Sequence, residues 1–228
     1  MNIYAVLTGD IIGSTKLGPD GLDAAMSRLR RLVQEFEQVQ PETVVGQPGV
    51  FRGDSWQVCL KRPALALTAA VFIRAGFKAE NFDTRIGIGW GTVERLHPER
   101  ISESSGPAFA RSGQALDQLG KDCSLALPQS GDSSPTGLDH PSLDMLGVGV
   151  GLLDALLVRW TQRESVAVYG TLRNLSQESI AALPQAQTKE GKAPTRQAIQ
   201  DALSRISWTS HILPFLNRAE KVIEKEVK

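Results

Sequence analysis

Cysteine and histidine are scarce in this chain, with two and three copies in 228 residues, and none of them stand at the short spacings of a zinc cluster. Cys59 and Cys123 each sit in an apolar strand-like run, which predicts buried thiols rather than a disulfide. His97, His140 and His211 are isolated from one another and read as loop or surface residues. Long apolar runs are also missing: nothing approaches the roughly 20 residues of a bilayer span, and the first residues lack the basic-then-apolar pattern of a leader. A soluble, cytoplasmic protein with no membrane partner is expected. Net charge is zero, so bulk charge draws the chain to no polyanion. The charge is uneven, however. Thr161 to Lys228 carries 10 Lys+Arg against 7 Asp+Glu, with 15 against 18 before it, a mildly basic tail that hints at nucleic-acid contact.

What is present is 41% hydrophobic residues, enough for a sizeable core, and a first stretch with clear grammar. In YAVLTGDIIGST an apolar run ends at Thr8-Gly9-Asp10 and meets the small-residue turn Gly13-Ser14-Thr15. This reads as a buried strand delivering one carboxylate to its end. A second carboxylate stands in VFRGDSWQV, where Gly53-Asp54 has turn chemistry between strand-like runs at Thr43–Arg52 and Ser55–Lys61. Asp20–Gln40 places Leu22, Met26, Leu29, Leu32, Val33 and Phe36 at helical spacing, with Arg28, Arg30 and Arg31 read as its solvated face. Pro63–Lys78 suits a second helix, and Asp83–Val93 a strand whose Gly87, Gly89 and Gly91 admit either a ligand or a close helix.

The order strand, helix, hairpin, helix, strand predicts an α+β, ferredoxin-like arrangement in which the strand after the hairpin turn lies antiparallel beside the first. Asp54 then falls next to Asp10. Two carboxylates with the backbone of Ile11 and Ile12 nearby make a hard-oxygen site suited to magnesium, or manganese in its place, and a triphosphate. The amides of Gly13, Ser14 and Thr15 are offered to the phosphates. Trp56, two residues past Asp54, is read either as a ring stacking on the base or as a core residue.

Four motifs in order, TGDIIGST, FRGDSW, TRIGIGWG and GPAFARSGQAL, resemble those of class III nucleotidyl cyclase (palm) domains. The closer likeness is to SatD-like proteins, a compact cyclase-related group whose GDIIGS and GDS-aromatic-Gln motifs look like Gly9–Ser14 and Gly53–Gln57. The resemblance covers roughly residues 1–127 and implies a metal site at Asp10, Ile11 and Asp54 and a nucleotide held by Ile12, Gly13, Ser14, Thr15, Arg52, Trp56 and Arg111. Where cyclases keep a base-selecting lysine and a late Asn and Arg, this chain has Val50, Ala110 and Gln114. Binding rather than rapid cyclisation is therefore expected, with Arg52 and Arg111 the nearest substitute cations.

Beyond that region the chain reads as a polar linker or loop at 128–141 and a small all-α domain at 142–228. Leu143–Trp160 reads as an apolar helix whose glycines suit close packing on a neighbour or across a homodimer. Gln162–Tyr169, Ser176–Leu183 and Thr195–Ile206 read as short helices, the last two with good N-cap residues, and a closing helix follows over Trp208–Val227. The middle pair resembles a helix-turn-helix, which implies Thr195, Arg196, Gln197 and Gln200 facing the major groove of duplex DNA, with Lys189 and Lys192 in the connection. The whole chain thus reads as a metal-dependent nucleotide sensor coupled to a DNA-binding unit, a transcriptional regulator. The competing reading is a nucleotidyl cyclase or nucleotide-linking enzyme whose tail serves dimerisation.

Overall fold

The computed structural model describes residues 2–120, 122–127, 141–188 and 191–227. The linker expected over 128–140 and the phosphate-contacting role expected of Lys189 lie outside the described residues. Strand β1 (Tyr4–Ile11) leads through Gly13, held in the left-handed region at φ 72°, into helix α1 (Ser14–Val39). Gly18-Pro19 interrupts that helix with a kink, so the regular amphipathic part begins close to the expected Asp20. A hairpin of β2 (Val44–Phe51) and β3 (Ser55–Leu60) follows, then α2 (Ala66–Ala79), β4 (Thr84–Gly91), α3 (Pro107–Asp117) and the short β5 (Leu125–Ala126).

The strands form one sheet in the order β2-β3-β1-β4-β5, with the first four antiparallel and β5 parallel to β4. The first four give the ferredoxin-like order expected from the sequence, and the molecule is α+β, a palm followed by helices. Alternation along β1 explains its two faces. Ala5, Leu7 and Ile11 join the core under α1 and α2, while Val6 joins a smaller cluster with Cys59, Ile101, Ala108 and Phe109 on the opposite face, where α3 lies.

Helix α3 settles the role of the β4 glycines. A Cβ at Gly89 would stand 2.3 Å from the Ser112 nitrogen and 2.5 Å from the Ala108 carbonyl oxygen, so the helix backbone occupies the space a side chain would need. Close helix packing accounts for the alternating glycines.

The remaining helices are α4 (Pro141–Leu157), α5 (Gln162–Leu172), α6 (Gln177–Ala181), α7 (Arg196–Arg205) and α8 (Leu213–Glu226), with a π turn at Trp208–Ile212 leading into α8. Their apolar faces continue the main core without a break: Tyr169, Leu203, Trp208 and Leu216 belong to the same cluster as Phe36, Phe72 and Phe77. Two expectations fail at side-chain level. Arg28 is 2% exposed rather than solvated, because the face it shares with Leu29 and Leu32 is covered by α2 and α5; it pairs with Glu80 at 2.9 Å and Glu35 at 3.5 Å and lies over the Tyr169 ring. Cys123 is exposed, since it precedes the two-residue β5 in a turn and not in a full strand. Among the described residues no helix is long and apolar enough to cross a membrane.

Candidate functional site

Antiparallel register brings the two aspartate positions to the same end of the sheet. Asp10 stands opposite Ser55 on one side and Arg85 on the other, and the Ile11 N–H donates to the Asp54 carbonyl at 3.1 Å. Asp54 is fixed from its own turn and from the next element: Ser14 Oγ donates to its Oδ2 at 2.7 Å and Ser55 Oγ lies 3.4 Å from its Oδ1. The Thr84 hydroxyl donates to the Asp10 carbonyl at 2.6 Å, which ties the end of β1 to the start of β4. Asp10, Ile11 and Asp54, and after them Ile12, Gly13, Ser14 and Thr15, therefore occupy one end of the sheet. Arg52 is at the hairpin tip two residues before Asp54, exposed and with φ at 53°.

Arg85 is the group that sequence reasoning missed. Its guanidinium grips both oxygens of Asp10, with Nε 2.9 Å from Oδ1 and Nη2 on Oδ2. Hydrogen bonding to Asp10 is the main reason its pKa is held above the usual value; partial burial opposes this, and the charges of Asp10, Asp117 and Asp54 add to it. The one available signal was a lone cation inside the apolar strand TRIGIGWG, but its partner is 75 residues away and only the sheet register joins them.

Two expected nucleotide contacts lie elsewhere. Trp56 is fully buried on the other face of the sheet, packed against Gly9, and its indole N–H donates to Thr84 Oγ1 at 3.1 Å. Asp54 lies in the hairpin turn, before β3 begins at Ser55, so strand alternation does not tie its direction to that of Trp56. Arg111 is buried against the far end of β4, donating to the Trp90 carbonyl at 2.7 Å, five residues along the strand from Arg85 and so roughly 17 Å away.

In the tail, the residues expected to face DNA are engaged locally. Arg196 pairs with Glu178 at 3.2 Å and donates to Gln177, Gln200 is bonded to Gln177 and Ser204, Gln197 bonds Asp201, and the Thr195 hydroxyl caps its own helix at Ala198. Helices α6 and α7 do touch, as a helix-turn-helix requires, but acidic Glu178 and Asp201 flank the exposed start of α7. Glu178, exposed, has its pKa lowered, first by a hydrogen bond from its own backbone and less by Ser176 and Arg196.

No protein-family model matches the chain, and no curated protein does either. Among solved structures it is similar to a bacterial light-regulated adenylyl cyclase, at 15% identity over 55% of this chain and 42% of that one, with a TM-score of 0.40. It is also similar to adenylate cyclases of Trypanosoma brucei in their monomeric state, at 15% identity over 51% and 70%, TM-score 0.38. A third likeness is to the active GGEEF domain of a diguanylate cyclase from Vibrio cholerae, at 17% identity over 57% and 85%, TM-score 0.41. The chain spans less than half of the light-regulated cyclase, and the fold described above rests on strand order and register alone.

Proposed function

We propose that the Asp10/Asp54 end of the sheet binds a nucleoside triphosphate together with a divalent cation, and that the protein acts as a nucleotide sensor. The observation that carries this reading is the convergence of Asp10, Asp54 and Arg85 beside the Gly13-Ser14-Thr15 turn. Among the described residues no three His, Cys, Asp or Glu side chains gather into a metal cluster. Two carboxylates from adjacent strand ends are nonetheless a donor set that fits magnesium, which takes one or two protein carboxylates and fills its shell with phosphate oxygens and water. Asp10 and Asp54 would hold it, and Arg85 would have to give up or share Asp10. Bound there, the cation supplies charge neutralisation for the phosphates; Arg85 and Arg52 orient them, and the backbone of Gly13–Thr15 faces them.

Trp56, the ring expected to take a base, is inside the core and out of reach of a ligand at this site. Recognition then rests on phosphates, with little discrimination between bases. Val50, Ala110 and Gln114 are uncharged where a cyclase keeps base-selecting and transition-state groups, so the site holds a triphosphate in ground and transition states alike, which gives occupancy without rate. The second reading, a slow nucleotidyl cyclase or nucleotide-linking enzyme, draws support from Arg85 alone: a guanidinium released from Asp10 by a cation is a charge placed near the reacting phosphates. A DNA-reading role for the tail has no such support, given the local engagement of Arg196 and Gln200.

Calorimetric titration of ATP and GTP with and without magnesium tests the proposal. Expected is magnesium-dependent binding of both nucleotides within about threefold of each other, lost in Asp54→Asn with the fold intact. Magnesium-independent binding, or binding unchanged by Asp54→Asn, refutes it. Steady, magnesium-dependent formation of a cyclic or linked product that vanishes in Arg85→Ala would replace the sensor by the enzyme.

A further inference from the structure

Five of the six large hydrophobic residues exposed among the described residues lie on or just after one helix: Met145, Val148, Leu152, Leu156 and Val158, at 42% to 70% exposure. On α4 the first four recur at steps of 3, 4 and 4, one stripe along the outer side. The opposite side is already satisfied: Leu146, Val150, Leu153 and Leu157 are in the core, and buried Asp154 accepts from the Ser124 backbone N–H at 3.0 Å and faces Arg74 at 3.5 Å. The helix is thus anchored by one side and apolar on the other, and burial inside its own molecule does not explain the stripe.

We infer that this stripe is a self-docking surface, and that two copies of the chain pair through α4 about a two-fold axis. Its spacing is complementary to itself. In an antiparallel pair with the axis level with Val150, Val148 of one copy meets Leu152 of the other and Met145 comes within one residue of Leu156, from both sides at once. Gly151 offers no obstacle, since nothing lies within 4 Å of where its Cβ would be, so a second helix can approach closely along that flank. Four such side chains on each copy, with the flanking backbone, bury roughly 1,000 Å² in total, the lower end of what a specific interface needs.

The alternatives fit less well. A helix that lies on a membrane carries lysine or arginine along its polar flanks, and PSLDMLGVGVGLLDALL has neither. The 128–140 stretch before α4 has Leu138 as its sole aliphatic residue, too little apolar surface to match the stripe. An acidic or basic partner finds no charge on the stripe to read, whereas a second identical stripe matches it.

Sedimentation velocity of the full chain over a concentration series tests this. Expected is a monomer–dimer equilibrium in the micromolar range, with Leu152→Glu raising the dissociation constant at least tenfold while the circular dichroism spectrum stays unchanged. As a second measurement, mixing Val148→Cys chains with Leu152→Cys chains, both in a Cys123→Ser background, should give a disulfide-linked heterodimer under mild oxidation, because the two-fold sets position 148 of one copy against 152 of the other. A chain that stays monomeric into the hundred-micromolar range, a dimer indifferent to Leu152→Glu, or a stripe that binds neutral phosphatidylcholine vesicles in preference to itself would each overturn the inference.

Discussion

Arg85 decides how Asp10 behaves in the proposed site, because a guanidinium on both oxygens of Asp10 would compete with a divalent cation for the same lone pairs. Arg85→Ala is expected to tighten magnesium binding in the absence of nucleotide by roughly tenfold, through loss of a like charge beside the ion, and to weaken triphosphate binding by a similar factor. Paired titrations with and without nucleotide read the two effects separately; a change of the same sign in both would remove Arg85 from the site. That Asp10 and Asp54 fall at one end of the sheet was legible in the sequence, because each follows a glycine at the end of a strand-like run. Arg85 was not, since periodicity places a residue on a face but not opposite a particular partner. Arg28 misled for a related reason: its long stem suits a solvated helix face, and only the arrival of α2 and α5 closes that face. Thiol chemistry separates the two cysteines just as sharply. Burial pushes Cys59 up to about 12, whereas Cys123 is exposed. One thiol per chain should react with a disulfide reagent at pH 8, the signal should vanish in Cys123→Ser, and the second should appear only on unfolding.

At the level of elements, helices were read most surely where apolar spacing and caps agreed. Ser176 and Thr195 cap α6 and α7 as expected, their hydroxyls accepting from Ser179 and Ala198. The face of β4 was ambiguous, because glycine alternation reports that something comes close without saying what. Here it is α3, and the geometry gives a sharp test. Gly89→Ala sets a methyl 2.3 Å from the Ser112 nitrogen, a backbone atom that cannot turn aside, so a loss of about 1–3 kcal/mol in urea unfolding is expected. Gly113→Ala on α3 itself, with nothing within 4 Å of its Cβ position, should instead be neutral or slightly stabilising. A neutral Gly89→Ala would mean that α3 does not sit on the sheet as described. The α5 start adds a capping box in which Thr161 accepts from the Glu164 backbone N–H and Glu164 accepts from the Thr161 N–H at 2.8 Å. That pairing escaped a reading that began the helix at Gln162 without assigning its cap.

For the molecule as a whole, the central question is whether the tail helices fold with the palm or apart from it, and Tyr169 gives the means to ask. It projects from α5 onto the palm helices: the ring packs on Phe72 at 5.5 Å, Arg28 and Arg173 lie over it, and its hydroxyl donates to Glu35 at 2.6 Å. A sequence reading separates the two parts because composition changes sharply near residue 128, and composition says nothing of which apolar faces later meet. Burial, and next the Glu35 hydrogen bond, raise the pKa of Tyr169 above its model-compound value of 10.0, against the opposing effect of Arg28. The consequence has a definite sign. Above pH 10.0 the unfolded chain gives up this proton first, so the folded state binds more protons and its stability falls as pH rises toward the raised value. Below that window the contribution is fully present. Tyr169→Phe should therefore destabilise the protein at pH 8, through loss of a buried hydrogen-bond partner of Glu35, by about 1–2 kcal/mol, and should show a shallower loss as pH rises above 10.0 than the parent. If palm and tail share one core, urea unfolding followed by far-ultraviolet dichroism and by tryptophan fluorescence gives a single coincident transition, displaced as a whole by the substitution. Two transitions, of which only one moves in Tyr169→Phe, would show that the tail unfolds on its own. The palm would then need another route by which nucleotide occupancy reaches the helices beyond it.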